Sequence, residues 1–245
     1  MATLSLAGFD VLWSDLGLGA VPFPLEVPSH GDTLDERARI KAVTHRVLER
    51  DGLVRSGRPV PELEDALRLL AAPQLAVSLV VMLTAGGERP RKALAVSRGR
   101  QAVLAVQREQ TVRLSEVRDT AVIMSVVDLV PGNRPGPGRS ITLSASRPVE
   151  PGNLMRPALE QAGGPESRQL KAVLERPLLR AGILGLTSRT PQGKPRRLPG
   201  VVWVDNDQGR YALSVTRGPD GAEWTTLTPA DNARLAARLG ELLAT

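Results

Sequence analysis

Two stretches of sequence decide the fold. Leu69-Leu-Ala-Ala-Pro73-Gln-Leu-Ala-Val-Ser-Leu-Val-Val-Met82 recurs in outline as Val173-Leu-Glu-Arg-Pro177-Leu-Leu-Arg-Ala-Gly-Ile-Leu-Gly-Leu186. Both read as the end of a helix, a proline, and then an apolar strand. Proline has no amide to give a helix and disfavours helical backbone in the residue before it, so each helix must stop at its proline. Downstream, Gly99-Arg-Gln-Ala-Val-Leu-Ala105 matches Gly209-Arg-Tyr-Ala-Leu-Ser-Val215. The blocks stand further apart in the second copy, and the extra residues fall in the loop-like stretch Gln192–Gly200.

Such self-similarity marks a duplicated unit. The predicted unit is helix, four-stranded meander, helix. In the first copy it runs as helix 60–72, strands 74–84, 91–98, 101–108 and 111–117, and helix 119–130. In the second it runs as helix 166–176, strands 178–189, 200–206, 209–217 and 222–228, and helix 229–243. The last helix carries Leu235, Leu239 and Leu242 on one side. Helix 119–130 is apolar nearly all round and is expected to be deeply buried.

Two helices precede the first copy. Residues 5–16 place Leu6, Phe9, Leu12, Trp13 and Leu16 on one face, with Trp13 expected in the core. Thr33-Leu-Asp-Glu36 is a capping box that opens a second helix to Arg50, with Ile40, Val43, Val47 and Leu48 inward. Gly132-Asn-Arg-Pro-Gly-Pro-Gly138 reads as a linker. A short strand (Ile141–Leu143) and a helix (Asn153–Ala162) follow. The expectation is one α+β domain over residues 1–245. Its two α-ββββ-α halves, about 1–131 and 139–245, are joined by linker 132–138. They form a central antiparallel sheet flanked by helical bundles with quasi-twofold symmetry.

The hydrophobic fraction of 42% and charged fraction of 24% are those of a globular chain. Aromatics are scarce, so the core must be Leu, Val, Ile and Ala. No stretch reaches the ~20 apolar residues of a membrane helix. The first residues lack a signal-peptide pattern, and cytoplasm is the default. There is no cysteine, hence no disulfide and no thiolate metal site. The net charge of +6 comes mostly from Arg and is a feature of overall composition; the one dense cluster is Lys194-Pro-Arg196-Arg197.

The sequence carries no enzyme signature. His30 sits in the turn Pro28-Ser-His-Gly31 and His45 sits mid-helix between Thr44 and Arg46, and neither is expected to be catalytic. Asp205-Asn-Asp207-Gln-Gly209 resembles the start of a calcium loop, but the residue at its twelfth position is Thr216 where a Glu is required. Gly86-Gly87 with Arg89, Arg91 and Lys92 has no Walker spacing and no following helix. No enzyme, cofactor or metal is expected.

The pieces together resemble the EspG family of actinobacterial type VII (ESX) secretion chaperones. The resemblance runs through Phe9-Asp-Val-Leu-Trp13, Leu16-Gly-Leu-Gly19, Pro22-Phe-Pro-Leu25, Ser29-His-Gly31 and Glu36-Arg37. It resumes at Gly99–Val106, Pro135-Gly-Pro-Gly-Arg-Ser140, Val204–Leu213 and Thr226-Leu-Thr-Pro-Ala-Asp231. It implies a cytosolic protein without catalytic residues that binds the apolar tip of a helical PE–PPE substrate pair. In the family the contact is made by the central sheet and the C-terminal helical bundle. Our own assignment of the groove, which the family motifs do not set, is Leu184, Leu186, Trp203 and Trp224, with Leu235 and Leu239 as the other wall. The competing class is a nucleic-acid or acidic-protein binder using Lys194, Arg196, Arg197, Arg100 and Arg210. Neither a membrane nor nucleic acid is the expected partner.

Overall fold

The computed structural model describes residues 2–84, 91–145, 165–190, 192–218 and 222–244. The expected helix Asn153–Ala162 and the Gly86-Gly87 loop lie outside them. The chain opens with strand β1 (Thr3–Ser5) and helices α1 (Leu6–Asp15) and α2 (Leu34–Arg50). A small β2–β3 hairpin (Val54–Arg55, Arg58–Pro59) leads to α3 (Pro61–Ala71). The first meander is β4 (Leu75–Thr84), β5 (Lys92–Arg98), β6 (Gln101–Arg108) and β7 (Thr111–Glu116). After α4 (Val122–Val127) come β8 (Ile141–Ala145) and α5 (Pro165–Leu174). The second meander is β9 (Arg180–Arg189), β10 (Pro195–Asn206), β11 (Gly209–Arg217) and β12 (Glu223–Pro229), and α6 (Asn232–Ala244) follows.

Ten strands form one antiparallel sheet in the order β1-β7-β6-β5-β4-β9-β10-β11-β12-β8. The α+β class and every expected strand are present. Both helices that precede a meander end ahead of their prolines, as the backbone chemistry requires. β1 and the β2–β3 hairpin were not anticipated. Three and two residues are too short for a period-two pattern to show.

The described residues fall into two compact units. The first comprises Met1–Leu79, Arg91–Val126 and Thr187–Arg196. Its core gathers Phe9, Leu12 and Trp13 of α1 with Leu67 and Leu70 of α3 and Leu94, Val103 and Leu114 of the sheet. Ser5 caps α1 by accepting from the Gly8 amide at 3.0 Å. Phe9 and Trp13 stack with centroids 5.2 Å apart.

Two expectations about helices need correction here. In α2 only Leu48 is buried, and Val43 is 52% exposed. The helix turns Arg37, Lys41 and His45 toward α1 instead. There Asp10 meets Arg37, and Asp15 meets Lys41 and His45. Ion pairs rather than an apolar stripe set its rotation. The capping box forms, with Thr33 Oγ1 accepting from the Glu36 amide at 3.2 Å, but the Glu36 carboxylate accepts from the Asp32 amide. The expected helix 119–130 is a 3-10 turn followed by the short α4. Val122, Val126 and Val127 are buried, yet Met124 is exposed.

The second unit comprises Val80–Pro90, Val127–Leu186 and Arg197–Thr245. On one face of its strands Val202, Val204, Tyr211, Leu213 and Leu227 pack with Leu170 and Val173 of α5. On the other lie Trp203, Asp205, Arg210, Ala212 and Ser214, since directly paired residues share a face.

Candidate partner-binding site

The C-terminal helix is placed by a buried polar hub. Arg210 and Asp205, opposite one another on β11 and β10, are both fully buried. Arg210 donates from Nε to Asp205 Oδ1 at 2.7 Å and from Nη2 to Oδ2 at 2.9 Å. Nη2 also donates to the Pro131 carbonyl at 2.6 Å, and Nη1 donates to Asn232 Oδ1. Asn232, the first residue of α6, returns its amide nitrogen to the carbonyls of Val127 and Val130. One guanidinium therefore ties the β10–β11 hairpin, the end of the α4 segment and the start of α6 together. A charge this deep is tolerable only because its partners satisfy it. Asp231 caps α6, accepting from the Arg234 amide at 2.8 Å.

The linker docks on the same hairpin. Pro135 bridges to Arg210 in parallel, with Arg210 N–H to Arg134 O and Gly136 N–H to Arg210 O. The Tyr211 hydroxyl donates to the Pro137 carbonyl at 3.0 Å. A Cβ at position 136 would lie 2.2 Å from Tyr211 Cζ, so the ring fits only over glycine. Burial pushes the Tyr211 hydroxyl pKa upward.

With α6 fixed, a groove of about 320 Å³ opens between it and the sheet. Ala212, Ser214, Thr226 and Thr228 form its floor, and Arg234, Ala237, Arg238 and Glu241 form its helical wall. Arg238 lies across it, donating to Ser214 Oγ from Nε and Nη2 and to Glu241 from Nη1. Trp224 lies two residues before Thr226 on the same face of β12 and is 39% exposed.

Of the six residues expected to line a groove, Trp224 alone presents substantial surface. Leu184, Leu186, Trp203, Leu235 and Leu239 are buried. Trp203 is a core pillar. Arg210 stacks over its ring at 4.8 Å, and a Cβ at Gly182 would meet its indole at 2.7 Å. Its indole nitrogen has no hydrogen-bond partner among the described residues. A side chain with no exposed area offers a partner nothing unless the fold rearranges. The groove-facing residues of α6 are instead the neighbours of the leucines: Arg234, Ala237, Arg238 and Glu241. Helical periodicity places these positions beside the apolar stripe but does not say that a groove opens there. The alternative basic surface also loses a member. Arg210 is fully buried against Asp205, while Lys194, Arg196, Arg197 and Arg100 are exposed.

A model of the EspG family matches residues 5–241. The chain belongs to that family, the non-enzymatic chaperones of type VII (ESX) secretion. No curated protein matches it. Among solved structures its fold is similar to that of the Mycobacterium tuberculosis type VII secretion system chaperone EspG5, determined in complex with a PE25–PPE41 dimer. The two share 15% identity and a TM-score of 0.73 over 100% of this chain and 96% of that chain. Among the described residues no helix is long and apolar enough to cross a membrane.

Proposed function

We propose that this chain acts in the cytosol as a chaperone for a helical PE–PPE-like pair, seating the pair's apolar tip on the β12 face beside α6. The observation that carries this reading is the groove between β11–β12 and α6, with the part-exposed Trp224 on the same face. The partner named for EspG5 supports the choice of substrate class. The binding energy comes from removing apolar surface from water at about 25 cal/mol per Å². A part-exposed indole is the kind of anchor on which interfaces concentrate that energy. Leu184, Leu186, Trp203, Leu235 and Leu239 are buried and serve the core of the fold. The quasi-twofold relation of the two α-ββββ-α halves within a single domain belongs to the same proposal, supported by their matching order of elements.

The test is co-expression with a neighbouring PE–PPE-type pair, followed by size-exclusion chromatography at low and high salt. A stoichiometric complex that survives high salt and is lost with Trp224→Asp in a folded protein is the expected result. The reading fails if no pair co-elutes, or if the complex forms equally well with Trp224→Asp.

A further inference from the structure

The first unit carries a second groove, of about 380 Å³, remote in sequence from α6. Its apolar atoms come from Val21, Phe23, Leu70, Ala71, Ala76 and Leu94, and its mouth holds Arg189 and Pro195. Phe23 stands 70% exposed on the 20–25 loop. Both ends of that loop are fastened. The Trp13 indole donates to Gly19 O at 2.9 Å, and the Gln107 amide both accepts from Glu26 N at 2.8 Å and donates to Glu26 O at 2.6 Å. Leu25 N–H closes a turn onto Pro22 O, and the Leu25 side chain is buried. An aromatic ring held out on a braced loop has its ordering cost already met by the fold, as strong interface anchors do.

The one charged side chain in the groove's lining is the cation Arg189, and Arg98, Lys194 and Arg196 adjoin lining residues. Arg189 donates to the carbonyls of Pro73 and Gly193, and Arg98 donates to that of Ala72. Carbonyls hold these guanidinium groups in place, and neither has a carboxylate partner among the described residues. Lys194 and Arg196 flank Pro195, are exposed, and have no carboxylate partner among the described residues. The acid nearest in sequence to Phe23, Glu26, is engaged by Lys92.

We propose that this groove docks a protein segment in which an apolar side chain is flanked by carboxylates. The apolar residue packs against Phe23 and the Leu70–Leu94 floor, and the acids meet Arg98, Arg189, Lys194 and Arg196. Single-stranded nucleic acid fits less well, since such sites interleave several stacking rings with their cations and Phe23 is the one aromatic in this lining. The proposal does not rest on the PE–PPE reading and uses none of its residues.

The experiment is selection of a phage library of short random peptides on the full chain. Enriched peptides, and a labelled single-stranded DNA as control, are then titrated by fluorescence anisotropy. Enriched peptides should carry Leu, Phe or Trp beside Asp or Glu. Phe23→Ser should weaken them by about tenfold or more. Lys194→Glu with Arg196→Glu should weaken them and flatten their salt dependence. Phe23 is exposed, so an unchanged melting curve for Phe23→Ser certifies folding. Trp224→Asp should leave peptide binding intact, which separates this site from the α6 groove. Failure to enrich acidic-apolar peptides, binding indifferent to Phe23→Ser, or DNA bound in preference through the same residues each overturns the proposal. So does sedimentation showing a dimer that Phe23→Ser dissolves, which would make a second copy the occupant.

Discussion

Arg210 grips Asp205 with two parallel hydrogen bonds, of 2.7 and 2.9 Å, where neither side chain reaches solvent. Removing one partner leaves the other charged and buried. Arg210→Ala should therefore cost about 3–5 kcal/mol in urea denaturation. Replacing both residues by apolar ones, Arg210→Met with Asp205→Leu, should recover much of that loss. The pair also holds Asn232, so the single variant should loosen α6, seen as faster amide exchange there.

Gly136 and Tyr211 make a contact that any side chain would break, given the 2.2 Å approach of a Cβ to the ring. Gly136→Ala should destabilise the protein by about 1–3 kcal/mol. In a Tyr211→Ala background the same change should cost little, and a double-mutant cycle on melting temperatures reads the coupling.

Two tryptophans should part company. Trp203→Ala opens a core cavity and should cost about 3–5 kcal/mol. Trp224→Ala should cost about 1 kcal/mol or less while weakening substrate-pair binding. Parallel denaturation and pull-down measurements check both; equal stability losses would mean Trp224 serves the fold.

Asp10 links stability to pH. Burial pushes its carboxyl upward, but donation from Arg37 and from the His30 amide outweighs this and leaves it below the ordinary carboxylate value. A lowered folded value stabilises the protein above about pH 4 and loses that contribution as pH falls through it. Asp10→Asn should thus cost about 2 kcal/mol at neutral pH, with the gap to the parent protein narrowing on acidification. Denaturation curves across acid pH follow it directly.

Most of the fold was legible because its signals are local: Pro73 and Pro177 stop helices, Thr33 starts one, and the meanders alternate in recognisable blocks. Its side-chain roles were less so. A leucine that will line a groove and a leucine that will lie beneath one have the same period, so Leu235 and Leu239 could not be told from Arg234 and Arg238 as contact residues. The rotation of α2 was hidden because Arg37 and Lys41 turn to Asp10 and Asp15, and those partners are distant in sequence. Arg210 looked like a surface cation for a similar reason. Only the β10–β11 register reveals Asp205 opposite it.

Strand β1 carries a consequence for how the protein is made. Residues Thr3–Ser5 pair with Thr111–Arg113, and Leu6 N–H reaches Gln110 O, so β1 has no neighbour until β7 has followed it from the ribosome. β1 thus waits through the synthesis of the whole first meander for the strand that hydrogen-bonds it. Until then β7 keeps an open edge on which any other extended chain can pair. A chaperone that must shield its substrate thus passes, early in its own life, through a stage in which it needs shielding itself.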